Sequence, residues 1–171
     1  KPAKLVLNDG SEMEGFSFGE YTSTTGEVVF NTGMVGYPES LTDPSYAGQI
    51  LVMTFPLVGN YGVPPDSVDH WDLNEHFESD RIWPKGLIIS DYSHDYSHWK
   101  SSRSLCEWLR QHKVPGIYGI DTRELTKKLR DGTTLGKIVV GNEDLEFEDT
   151  MQTNLIAEVS RVFDSYFIYT I

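Results

Sequence analysis

Three groups of residues in this sequence have types and spacings that could do chemistry. Cys106 is the sole cysteine and so the sole thiol nucleophile. Nucleophilic use of a thiol requires a helix N-terminus, a neighbouring cation or an adjacent base to favour the thiolate. The sequence sets Cys106 mid-helix between Leu105 and Glu107, beside a carboxylate that disfavours the anion, so a structural, half-buried thiol is expected. His94 and His98 have the spacing that puts two imidazoles on one helix face. Asp95 stands where a zinc protease needs glutamate, no third ligand follows, and 91–99 lacks helical periodicity; a solvent-facing turn is expected, with a small metal-dependent enzyme as the weaker alternative. Gly132 to Ile138 resembles a phosphate loop with one residue too few and Ile138 at the position of the metal-binding hydroxyl. It also leads from helix to strand, the reverse of the required order, and reads as a helix stop and turn.

A fourth group is less specific. Asn31 to Tyr37, Thr42 to Tyr46 and Gly59 to Gly62 crowd small and hydroxyl residues around glycines. Such composition suits close backbone approach to a ligand or a second chain, and turn chemistry alone accounts for it equally well.

The elements that must position these groups can be read from periodicity. Lys4–Leu7 and Glu12–Phe18 flank Asn8-Asp9-Gly10-Ser11, a hairpin signal because glycine accepts positive φ. Glu27–Asn31 and Ile50–Phe55 are β-branched and aromatic, and read as strands. Between them Gly36 to Tyr46 is a short helix or turn broken by Pro38 and Pro44. Gly59 to Asp72 is a long loop, a kind of segment often used for function. Gly86–Ile89 reads as a buried strand. A helix capped at Ser101 or Ser102 runs to His112 on a Leu105, Trp108, Leu109 stripe, followed by a strand over Val114–Ile120. Asp121-x-x-Glu124 has the form of a capping box, opening a helix that ends at Gly132 and leads into a strand over Leu135–Val140. Hairpins mixed with crossovers imply an α/β domain with a mixed sheet and flanking helices.

The composition narrows the function classes. The chain has 171 residues, 14 Lys+Arg against 26 Asp+Glu and a formal charge of −12, which gives no electrostatic footprint for nucleic acid. A lone cysteine excludes an internal disulfide and favours a reducing compartment. The longest apolar run, Ile50 to Val58, contains a proline and falls far short of the roughly 20 residues of a membrane helix, so neither nucleic acid nor membrane is an expected partner. Residues 1–140 form the expected domain. Residues 141–171 read as an acidic linker and a divergent tail, with a helical turn over 154–160 and a β-prone, uncharged end over 165–171. That tail is expected to mark a fragment boundary.

Gly26 to Glu39, Leu41 to Tyr46, Gly59 to Gly62 and Gly119 to Lys127 closely resemble the N-terminal domain of the carbamoyl-phosphate synthetase small (glutamine amidotransferase) subunit. The Asp91–Trp99 and Arg81-Ile82 segments look most like the eukaryotic forms in which that subunit is fused to the synthetase. The resemblance runs from about Leu5 to Ser160; the Arg130–Thr133 turn is one residue shorter than the family's usual form. It implies a swivelling β/β/α fold and a non-catalytic role: supporting assembly with the synthetase part and shaping the glutamine site of an adjoining class I glutaminase domain. The family's nucleophile lies beyond this domain, so no catalytic residue and no metal ligand are expected here. Of the glutamine site, the serine of Asp-Pro-Ser-Tyr, Ser45 in this chain, is the residue the resemblance assigns. Some ammonia-using relatives carry alanine there, so Ser45 implies a glutamine-dependent lineage. ATP, Mg and bicarbonate would be used by the synthetase part and not by this chain. The implied location is the cytoplasm, or else the mitochondrial matrix, in pyrimidine or arginine metabolism. A different class of function, a free-standing module that competes for the synthetase domain, is the alternative.

Overall fold

The computed structural model describes residues 1–141, 143 and 145–148. Strands β1 (Pro2–Leu7) and β2 (Glu12–Gly19) form the hairpin expected around Asp9-Gly10, with Gly10 at φ 84° and antiparallel pairing from Pro2↔Phe16 to Val6↔Glu12. Then come β3 (Thr24–Asn31), helix α1 (Tyr37–Thr42), a 3-10 turn (Pro44–Tyr46), β4 (Ile50–Met53), β5 (Leu57–Val58), β6 (Gly86–Ile88) and β7 (Asp91–Tyr92). Helix α2 (Leu105–Gln111), β8 (Pro115–Tyr118), α3 (Thr122–Leu129) and β9 (Leu135–Val140) complete the described elements.

The sheet is mixed, as expected, and it closes. Around the barrel the order is β1-β2-β8-β6-β4-β3-β9, with β9 pairing to both β3 and β1. β3, β4, β6 and β8 run parallel to one another, and the remaining junctions are antiparallel. Two short strands that the sequence pattern does not announce, β5 and β7, pair outside the barrel.

Closure separates two cores. Alternate residues of the strands, Leu5, Leu7, Val28, Ile50, Val52, Ile88, Ile117 and Ile138, fill the interior, and α3 adds Leu125 and Leu129. The opposite faces of β4 and β6, through Leu51, Met53 and Leu87, pack with Tyr37 and Leu41 of α1 and Leu105, Trp108 and Leu109 of α2. This explains why Ile50–Met53 is an unbroken apolar run: both faces of β4 are covered.

Several boundaries differ from expectation. Helix α2 starts at Leu105, capped by Ser104 and not by Ser101 or Ser102; the Ser104 hydroxyl accepts from Glu107 N–H while the Glu107 carboxylate accepts from Ser104 N–H. That reciprocal box satisfies orphan donors that the earlier serines could not reach. Cys106 therefore lies in the first turn of α2 and not mid-helix. At α3, Asp121 accepts from Glu124 N–H at 2.9 Å, one half of the expected box. The strand after Val114 stops at Tyr118, because Gly119 adopts φ 87°. The long loop continues past Asp72 to Lys85, and its far end is tied to α1: Ser79 donates to the Thr42 carbonyl at 2.7 Å and Trp83 N–H to the Leu41 carbonyl at 3.0 Å. Among the described residues no helix is long and apolar enough to cross a membrane. The expected helical turn over 154–160, the β-prone end over 165–171 and most of the acidic linker lie outside the described residues.

Candidate functional site

Asn31, at the C-terminal end of β3, organises the group of glycines and hydroxyls. Its amide donates to Ser40 Oγ at 3.0 Å and to Tyr46 Oη at 3.1 Å, and its Oδ1 accepts from Gly33 N–H at 2.6 Å. One side chain thus ties α1, the 3-10 turn and the 32–36 loop to the barrel. Helix α1 opens at Gly36, whose φ of 85° lies in the left-handed region that favours glycine. Pro38 follows in the first turn, where a missing N–H costs nothing.

No side chain caps α1 locally. Instead Tyr61, from the Gly59–Gly62 turn, offers its hydroxyl to Gly36 N–H at 2.8 Å and to Tyr37 N–H at 3.2 Å. The two tyrosine rings stack at 4.3 Å, and Tyr37 Oη donates to the Gly62 carbonyl at 2.6 Å. Burial pushes both phenols above their ordinary values, so each stays a neutral donor and acceptor. The Asn31–Tyr37 and Gly59–Gly62 stretches are thereby clamped face to face.

Ser45 sits on the 3-10 turn. The Asp43 carboxylate accepts from Ser45 N–H at 2.8 Å, which fixes the turn, and Tyr46 anchors it to Asn31. The Ser45 side chain is exposed, and among the described residues no hydrogen bond engages its hydroxyl. A hydroxyl so placed can donate to a carboxylate or carbonyl and accept from an amide supplied by another part of the protein. Ser45 lines neither of the two clefts nearest these motifs. The first, about 460 Å³, is bounded by Val35, Gly36, Pro38, Glu39, Tyr61 and His98. The second, about 810 Å³, lies at the carboxyl ends of the parallel strands.

The remaining candidates occupy separate places. Cys106 is half-buried and its sulfur accepts from Gly19 N–H at 3.3 Å, a packing contact between α2 and the end of β2. His94 and His98 are exposed and share no helix face. His94 stands edge-on to Tyr92 and Tyr118 at 4.9 and 6.0 Å, while His98 stands edge-on to Tyr61 at 6.4 Å. Among the described residues no three His, Cys, Asp or Glu side chains gather around a possible metal position. Gly132 to Ile138 is the helix stop and the start of β9. Sequence reasoning misses Asn31 and Tyr61 as organisers, because their partners come from separate turns; the available signal is a hydroxylated aromatic set between Gly59 and Gly62.

The family model described as carbamoyl-phosphate synthase small chain, CPSase domain, matches residues 5–139. The mouse protein named carbamoyl-phosphate synthase [ammonia], mitochondrial, is 54% identical over 162 residues, covering 94% of this chain and 11% of that protein. Multifunctional protein pyr1-3 of Dictyostelium discoideum is 51% identical over 170 residues, covering 94% of this chain and 8% of that protein. Multifunctional protein CAD of Squalus acanthias is 51% identical over 162 residues, covering 92% of this chain and 7% of that protein. The chain therefore spans about a tenth of the length of these relatives. The stretches that Asn31 and Tyr61 tie together all fall inside the matched region, and the chain belongs to the carbamoyl-phosphate synthase small-chain family, in company with its long eukaryotic members.

Proposed function

We propose that this chain is the non-catalytic N-terminal domain of a glutamine-dependent carbamoyl-phosphate synthase, with the swivelling β/β/α character of that domain. In this reading it holds a class I glutaminase domain against the synthetase part and lends Ser45 to the glutamine site. ATP, Mg and bicarbonate are used by the synthetase part and serve its reaction there, not in this chain. The domain ends near residue 140, and 141–171 are an acidic linker and divergent tail at the place where the glutaminase domain would begin. The cytoplasm is the expected location, with the mitochondrial matrix as the alternative.

The observation that supports this most is the state of Ser45. Its backbone is pinned by Asp43, its neighbour Tyr46 is pinned by Asn31, and its hydroxyl has no partner among the described residues. A preorganised hydroxyl facing outward is suited to complete a site built mainly by another domain. The nitrogen donor cannot be taken from the relatives' names, since ammonia-named and multifunctional proteins are about equally similar; Ser45 is what favours glutamine.

The 171-residue chain incubated with glutamine is expected to release no ammonia. Turnover that Cys106→Ala abolishes would overturn the non-catalytic reading, because it would make a thiol now seen packing against Gly19 N–H a nucleophile.

A further inference from the structure

The larger cleft has no part in the role proposed for Ser45. It opens where β3, β4, β6 and β8 end, all four parallel, so that Thr32, Thr54, Ser90 and Gly119 follow successive strand ends around one rim. Carboxyl ends of parallel strands are a recurrent location for ligands, because the loops diverge there and helix N-termini point in. Here the helix is α3, whose residues Thr122, Arg123, Thr126 and Lys127, with the C-cap Arg130, line the cleft.

Two features of that lining point to an anion. The first is Thr122. It is 4% exposed, it lines the cleft, and among the described residues nothing bonds its hydroxyl. Thr126, one turn on, donates to the Thr122 carbonyl at 2.6 Å, a bond Thr122 cannot copy because it opens the helix and no helical carbonyl precedes it. Arg103 Nε is the one fully enclosed side-chain atom without a partner among the described residues, so the Thr122 hydroxyl reaches the cleft, where a ligand oxygen can bond it. The second is charge and free donors. Arg123, Lys127 and Arg130 recur along one face of α3 and have no ion-pair partner among the described residues. Asp121 caps Glu124 N–H, which leaves the Thr122 and Arg123 N–H groups at the positive end of the helix without a described acceptor. Asp91 and Asp121 are the acids on the lining, so three cations against two carboxylates leave one positive charge.

We infer that this cleft binds a small oxyanion, received by the Thr122 hydroxyl and the first N–H groups of α3 and enclosed by Arg123 and Lys127. Neither this site nor the role proposed for Ser45 depends on the other, and each can fail alone.

The test is an NMR titration of the isotope-labelled 171-residue chain with sodium acetate and, separately, sodium phosphate at constant ionic strength. Saturable shifts of the Gly119–Arg123 amides are expected with at least one of them, and the tighter of the two identifies a carboxylate or a phosphoryl group as the ligand's anionic end. Arg123→Gln combined with Lys127→Gln, both at exposed positions, should weaken that binding about tenfold, or ~1.4 kcal/mol. Thr122→Val should weaken it and Thr122→Ser restore it. Absence of saturable shifts with both anions would overturn the proposal. So would equal affinity in the Arg123→Gln, Lys127→Gln variant, which remains decisive should Thr122→Val fail to fold.

Discussion

Asn31 and Tyr61 do by side chain what short elements cannot do for themselves. Helix α1 has six residues and lacks a local cap, so its first N–H groups are answered by a tyrosine 25 residues away. Replacing Asn31 with alanine removes bonds to Ser40, Tyr46 and Gly33 N–H, and about 2–3 kcal/mol of stability is expected to be lost in a urea titration. Tyr61→Phe keeps the stacked ring but strips the cap; it should cost about 1 kcal/mol, less than Asn31→Ala. Asp9 gives a pH-dependent prediction. The Ser11 hydroxyl, followed by Ser11 N–H and Lys128, holds its carboxyl at about 2, below the usual value of 3.8. A lowered acid value means that Asp9 supports the hairpin above the unfolded value and loses that support as pH falls from about 4 towards about 2. NMR titration of the carboxyl should show this, and Ser11→Ala should move its midpoint upward. At this scale the sequence displays the ingredients, glycines beside hydroxyls, without their pairing. Asn31 finds Tyr46 fifteen residues on, and no periodicity encodes that.

Among the elements, helix α2 shows how near a sequence reading can come and still displace a residue. The Leu105, Trp108, Leu109 stripe is legible in the sequence and all three are buried. Ahead of it Ser101, Ser102 and Ser104 are all available as caps. Glu107 decides among them, because only from Ser104 does the S-x-x-E spacing close reciprocally. Ser104→Ala should lower stability by about 1 kcal/mol while Ser101→Ala and Ser102→Ala change it less, measurable as shifts in urea midpoint. Moving the start of the helix also moves Cys106 into its first turn, where it packs on Gly19 N–H. Helix α3 is legible nearly to its ends, because its Asp121 start and basic last turn agree with its apolar face. The loop beyond Asp72 is less legible: what orders it is bonding to Thr42 and Leu41, contacts made across the fold.

On the scale of the whole molecule, an α/β domain with a mixed sheet can be read from element order, and its closure cannot. Closure depends on β9 pairing with β1 and with β3, more than 100 residues away in sequence, and on glycines that allow the strands to approach. At Gly116 of β8 an added Cβ would stand 2.4 Å from the Phe18 ring on β2. Gly116→Ala should therefore destabilise the domain by about 1–3 kcal/mol through overpacking at that junction, seen as a lowered Tm. A rigid barrel with an outer layer of short helices is what can present Ser45 at a fixed position to another domain. The central claim is that this presentation serves glutamine. It is tested most directly by Ser45→Ala in the full-length protein that contains this chain, with KM measured for glutamine and for ammonia as nitrogen donor. The glutamine KM is expected to rise about tenfold, the loss of one hydrogen bond to the substrate, with the ammonia KM unchanged. Equal changes in the two, or none in either, would contradict it.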